Sequence, residues 1–377
     1  MGLAVPRLEA HLIRREHREP PRAILVIRLD LLGDVVMSLP VVQAFKESYP
    51  NAVVAMLVTP YTAPLLEDVP SVDRVFVIDP NAVRRPRNWF HVRKYRSLFF
   101  LIHELRAFQP DIAVSLFGQF ACLFAFISGA PTRVGYASEA YPGTLTLALP
   151  GRRYDTPHHE VAYVLRLARA AGATVRDNTP RMTASPRAIA DIEQQLTERV
   201  TGQRPRVVLH VGSNNGNAKR WRMDSWARLA DQLVAKYGAT VIFSGAARDH
   251  SLVCRVQRQM RQPSTNMAGH TDLKSLKALL STVDVVITGD SVPVHLASAL
   301  GTPVVGIYGP TDPRVYGPYS QPHHVVRAGL PCSPCYNLLA TAECPWRVTP
   351  APCMSAVGVE DVLAAVEDIW ITNRPSE

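Results

Sequence analysis

The sequence has no apolar run long enough to cross a bilayer. The nearest approach, Ile112 to Ile127 (IAVSLFGQFACLFAFI), falls short of the roughly 20 residues a helical span needs and is interrupted by Gly118 and Gln119. A strand followed by a packed helix is expected there. The opening segment, MGLAVPRLEAHLIRREHREPP, lacks the apolar stretch of a secretory signal, so residues 1–20 are expected to be a mobile tail and the protein to stay in the cytoplasm. No G-x-G-x-x-G follows either of the strands identified below, which argues against a dinucleotide-dependent oxidoreductase.

Acidic residues are missing from one long stretch. Between Asp79 and Glu104 stand Arg84, Arg85, Arg87, Arg93, Lys94 and Arg96 without a carboxylate among them, interleaved with Trp89, Phe90, Tyr95, Phe99 and Phe100. The formal net charge is +9. Such a mixture suits contact with an anionic lipid surface or a phosphorylated glycolipid, where each basic group contributes about 1 kcal/mol. The alternative is a solvated basic face with its aromatics turned to the core. No base-reading or single-strand motif accompanies the charge, so nucleic acid is not an expected partner.

What is present is a large apolar fraction, 47% of 377 residues, arranged as repeated strand, turn and helix patterns. Such a length predicts two domains. In DVVITGDSVPVHLASALGTPVVGIYGPTDP, Val285 to Ile287 read as a strand buried on both faces. Asp290 and Ser291 supply helix-starting oxygens, and Gly301 with Pro303 ends the helix before a strand at Val304 to Tyr308. Earlier in the chain, Ala23 to Leu29 reads as a strand, Leu31 to Asp34 as a turn, Val35 to Ser48 as a helix and Val53 to Val58 as the next strand. Two such units predict two doubly wound parallel-sheet domains, with ligands beyond the carboxyl ends of the strands, where amides and helix dipoles face an anion. Residues 290–295 are therefore expected on a ligand.

Asp155 to Gly172 is helical by periodicity, a proline-punctuated connector near 176–188 marks the hinge, and Arg206 to Val211 restarts the strands. The expected boundaries are 21–180 for the first domain, 186–358 for the second, including a cysteine-rich loop at 331–354, and a terminal helix at 359–373. Cys332, Cys335, Cys344 and Cys353 account for four of the six cysteines. In a reducing compartment they are candidate ligands for structural zinc or iron, with free thiols or disulfides as the alternatives.

Three blocks, RLDLLGDVVMSLPVVQAFKESYP, VGSNNGNAKRWRMDSWARLADQL and GDSVPVHLASALGTPVVGIYGPTDP, occur in the order and spacing of one family. The sequence resembles the ADP-heptose:lipopolysaccharide heptosyltransferases, over roughly residues 22–370. The resemblance implies the GT-B architecture, two Rossmann-like domains facing across a cleft with the C-terminal helix crossing back onto the first. It also implies inverting transfer of heptose from ADP-heptose to a lipopolysaccharide inner-core acceptor at the cytoplasmic surface of the inner membrane, with no cofactor in the chemistry.

Such a transfer needs a base for the acceptor hydroxyl and positive charge for the departing diphosphate. Asp34 matches the family's base, and its plainer reading is a carboxylate at a helix N-terminus. Asp30 lies at the variable strand end. Lys219 matches the lysine of a K-x-W element and can reach a phosphate. Ser213, Asn214, Asp290, Ser291, Val292 and His295 are expected around the diphosphate, and Arg84, Arg85, Arg87, Arg93 and Lys94 at the acceptor. Two departures stand out. Val292 replaces a glycine that would permit positive φ, and Ser244 to Asp249 lacks the glutamate that some members place against the ribose, with Asp249 a shifted substitute or merely part of a turn. Alternative readings are a protein O-heptosyltransferase with a cysteine metal finger, or a non-catalytic nucleotide-sugar or glycolipid binding subunit.

Overall fold

The computed structural model describes residues 19–80, 92–153, 155, 158–199, 204–213, 217–320, 322–335, 344, 346 and 348–372. The chain divides into two compact units, Met1–Pro180 and Arg181–Glu377. The first unit carries β1 (Ala23–Ile27), β2 (Val53–Val58), β3 (Arg74–Val77), β4 (Ile112–Ser115), β5 (Thr132–Tyr136) and β6 (Leu147–Leu149). They form one sheet of order β3-β2-β1-β4-β5-β6, parallel throughout. The second carries β7 (Arg206–His210), β8 (Thr240–Ser244), β9 (Thr265–Asn266), β10 (Val285–Gly289), β11 (Val304–Ile307) and β12 (His323–Val326). Its order, read from the other edge, is β9-β8-β7-β10-β11-β12, the same winding repeated.

The central strands are buried along their whole length because both faces are covered. β1 (AILVI), β4 (IAVS) and β10 (VVITG) have no solvent-facing residue, the pattern of a parallel sheet between helical layers. In the first unit Leu25, Ile27, Ala55, Leu57 and Phe76 share a core with Phe124 and Ala125 of the helix Gln119–Ile127. The stretch 112–127 is thus a strand and a packed helix, and among the described residues no helix is long and apolar enough to cross a membrane.

One expectation changes. The single helix read over 35–48 is two, Leu32–Met37 and Leu39–Ser48. The break at Ser38 is caused by Pro40, which has no N–H for the preceding turn and stands instead in the first turn of the second helix. In the terminal helix Val359–Thr372, Val362, Leu363, Val366 and Ile369 join Trp226, Leu229 and Leu233 in the core of the second unit. Glu367 accepts from Lys236 at 2.6 Å and from the Tyr237 hydroxyl, which fastens it there.

Candidate active site

In each sheet the strand order reverses direction once, between β1 and β4 and between β7 and β10. These are the switch points at which loops splay apart and ligands enter. The polar groups read from the sequence gather at both.

At the first switch point β1 ends at Ile27, and the next side chain, Arg28, is completely buried. A guanidinium cannot shed its proton, so it survives here only by pairing. It does so three times, to Asp30 Oδ1 at 2.6 Å, to Glu160 Oε1 at 2.9 Å and to Asp34 Oδ1 at 3.0 Å. A second buried guanidinium, Arg153, reaches the same Asp34 Oδ1 at 2.6 Å and Glu160 Oε2 at 2.7 Å. Phe117, just beyond β4, lies over both guanidiniums, its ring centroid 5.7 Å from Arg28 Cζ and 4.4 Å from Arg153 Cζ. Asp34 itself stands on the short helix Leu32–Met37, and its carbonyl oxygen accepts from Ser38 Oγ at 2.7 Å. The helix break at Ser38 therefore helps to hold the proposed base. Burial, with the negative charge of Asp34, pushes the Asp30 carboxyl up to about 6 against the opposing pull of Arg28 and Arg153.

At the second switch point two loops separated widely in sequence touch. Lys219 Nζ lies 2.5 Å from Asp290 Oδ2, and both side chains are nearly closed to solvent. The backbone is close as well, since a Cβ on Gly289 would stand 3.3 Å from the Lys219 carbonyl oxygen. Ser291 is the extended residue that opens the helix Val292–Leu300, and its Oγ pairs with Thr288 Oγ1 at 2.9 Å rather than capping the helix. Pro293 has no N–H and the Val294 amide donates to the Ser291 carbonyl oxygen at 3.1 Å, so the Val292 amide is the first-turn donor left over by the helix. Val292 takes helical dihedrals as the first residue of this helix, so the valine meets no positive-φ requirement. His295 is buried one turn further on. The Ser213 hydroxyl is buried without a hydrogen-bond partner among the described residues.

Asn214, Arg84, Arg85 and Arg87 lie outside the described residues. Arg93 and Lys94 belong to the helix Val92–Phe108, which exposes Phe99 and Phe100, with Arg96 stacked over the Phe100 ring at 5.5 Å. Asp249 is part of a turn. It is buried, accepts from the Ala246 amide at 3.0 Å and fills the space beside Gly212, where a Cβ would come within 2.7 Å of its carboxylate. Gly212 is glycine for that reason. His210, at the end of β7, pairs its Nδ1 with Ser244 Oγ at 3.0 Å, and burial holds its imidazole down at about 4 despite the nearby Asp249.

Among the cysteines, Cys335 donates its amide to the Pro310 carbonyl at 2.8 Å, and Cys353 is buried in the core. Burial first, then the neighbouring thiols of the same segment, push both thiols up. All six cysteines are free, and among the described residues no three metal-binding side chains are placed to hold an ion.

Each unit is a doubly wound parallel sheet, the domain type of the GT-B glycosyltransferases. Residues 98–344 match the family described as glycosyltransferase family 9 (heptosyltransferase). The chain belongs to that family and is a glycosyltransferase. It is 27% identical over 315 residues to lipopolysaccharide heptosyltransferase 2 of Escherichia coli (strain K12), covering 81% of this chain and 87% of that one. The same fold is seen in a family 9 glycosyltransferase from Veillonella parvula, with a TM-score of 0.78, 21% identity and coverage of 93% and 98%. It is seen again in ADP-heptose lipopolysaccharide heptosyltransferase II of Escherichia coli, with a TM-score of 0.73, 24% identity and coverage of 93% and 99%.

Proposed function

We propose that this glycosyltransferase moves heptose from ADP-heptose to a lipopolysaccharide inner-core acceptor of the lipid A–Kdo type, in one inverting displacement. The observation that supports the donor side best is the meeting of Lys219 with Asp290, at 2.5 Å, beside the start of the helix Val292–Leu300. A lysine cation beside the first amide of a helix suits a diphosphate.

In this reading Asp34 takes the proton of the acceptor hydroxyl while that oxygen attacks the anomeric carbon of the heptose. The bond from that carbon to the diphosphate oxygen breaks, and its electron pair leaves with ADP. Lys219 and the Val292 amide stabilise the charge that accumulates there. Asp290 keeps Lys219 in place before the donor arrives and gives it up to the diphosphate. On the acceptor side, Arg93, Lys94 and Arg96 with the exposed Phe99 and Phe100 give the helix Val92–Phe108 an affinity for an anionic lipid surface. The enzyme then works at the cytoplasmic face of the inner membrane.

The test is turnover of ADP-heptose by the purified protein with a panel of truncated lipopolysaccharide cores. ADP should be released only when an acceptor is present. Tight ADP binding with no transfer to any core would move the chain to another sugar or acceptor, or to a binding role.

A further inference from the structure

Asp34 is an unusual place for a base, because one of its oxygens touches two guanidiniums, at 3.0 and 2.6 Å. Two permanent positive charges in contact with one carboxylate favour its ionised form and oppose its taking a proton. The cluster contains the counterweight. Glu160, the first residue of the helix Glu160–Ala170, is almost wholly buried and spends one oxygen on each arginine, Oε1 on Arg28 Nη1 at 2.9 Å and Oε2 on Arg153 Nε at 2.7 Å. The four side chains close a ring in which every carboxylate meets both guanidiniums. With Asp30 joined to Arg28 at 2.6 Å there are three carboxylates and two guanidiniums, so the ionised cluster carries one negative charge and becomes neutral on gaining one proton.

We infer that Glu160 is a positioning residue of the transfer reaction, which fixes the guanidiniums of Arg28 and Arg153 against Asp34 and offsets their charge, so that Asp34 can accept the proton of the acceptor hydroxyl. The inference rests on the reading of Asp34 as base. Proton and electrons balance as in the displacement above. The proton passes from the acceptor oxygen to Asp34, the new carbon–oxygen bond forms, and the electron pair of the broken bond departs with ADP. Glu160 takes no part in the bonds that form and break.

Among the described residues, three further titratable side chains stand near the ring. Glu139 accepts from the Gly118 amide at 3.2 Å and adds its field to Arg28 and Arg153, while Tyr136 and Tyr163 border Glu160 and Arg166 lies over the Tyr136 ring. Burial holds the Glu139 carboxyl and both phenols above their ordinary ranges. The phenols are thus uncharged in the neutral range, and the Phe117 ring covers the guanidiniums from the β4 side. Among the described residues Asp30 is the one other carboxylate in contact with Arg28, it also stands 3.9 Å from Arg153 Nη1, and it is common to all the variants below.

The test compares pH profiles of kcat/KM for Glu160→Gln and Arg153→Gln with wild type, together with the activity of Asp34→Asn. Glu160→Gln removes a negative charge and should move the acid limb down by about one pH unit, with the plateau falling about tenfold. Arg153→Gln removes a positive charge and should move it up. Shifts of opposite sign are not produced by loosened packing, which lowers the plateau alone. If Glu160→Gln does not fold, the upward shift in Arg153→Gln decides the matter. Limbs that stay in place or move together, with Asp34→Asn inactive, overturn the role of Glu160 and leave the base intact. Full activity in Asp34→Asn overturns both.

Discussion

Lys219 and Asp290 form a buried ion pair, 2.5 Å between Nζ and Oδ2, across two loops that follow neighbouring strands of the second sheet. Removing one partner of such a pair leaves a desolvated charge and costs about 3–5 kcal/mol, whereas removing both is far milder. Lys219→Met should therefore lower the melting temperature and weaken ADP binding by about ten- to a hundredfold, as expected for a lost charge-assisted contact. Adding Asp290→Asn should restore most of the stability and none of the ADP affinity. Calorimetric titration and thermal melts of the two variants separate the roles.

His210 supplies a pH dependence in the second unit. Its folded-state value is depressed from about 6.5 to about 4, so the stability it contributes is present above 6.5 and is lost as pH falls toward 4. Melting temperatures of the wild type should drop across that window more than those of His210→Gln, which has no proton to gain.

Asp30 acts with the opposite sign in the first unit. Its folded-state value is raised from 3.8 to about 6, so its contribution is fully present below 3.8 and is lost as pH rises through 6. Relative to wild type, Asp30→Asn should gain stability between pH 4 and pH 7, by denaturant titration at each pH. A parallel dependence in both proteins would contradict the burial assigned to this carboxyl.

The exposed Phe99 and Phe100 make the lipid-surface reading measurable. Each phenylalanine that enters an interface contributes about 1.5–3 kcal/mol when fully buried. Phe99→Ser with Phe100→Ser should reduce binding to vesicles containing anionic lipid by about tenfold or more, and leave ADP binding unchanged.

Local chemistry made the second switch point legible. Gly289, Asp290 and Ser291 follow an apolar strand, and Lys219 stands in a polar loop before a tryptophan, so each could be proposed separately. Their contact could not, because it depends on β7 lying beside β10. The first switch point was half visible. Asp34 is singled out by the family motif, but Arg28 falls inside the strand read over 23–29 and Glu160 inside the helix read over 155–172. They meet over 132 residues, and Arg153 reaches Asp34 over 119, a proximity created only by the sheet order. Buried arginine against buried glutamate leaves no periodic signature. The signal available was charge inside otherwise apolar stretches, at Arg28 after AILVI and at Glu160 before VAYVL. The helix break at Ser38 could have been read from Pro40, whose effect on the preceding turn is local.

The measurement that bears most directly on the account is acceptor-dependent release of ADP from ADP-heptose by the wild type and by Asp34→Ala, with ADP binding titrated in both. The account predicts release by the wild type only with a lipopolysaccharide core present, a fall of about a hundredfold or more in the variant, and equal ADP affinity. Undiminished release by Asp34→Ala would contradict it.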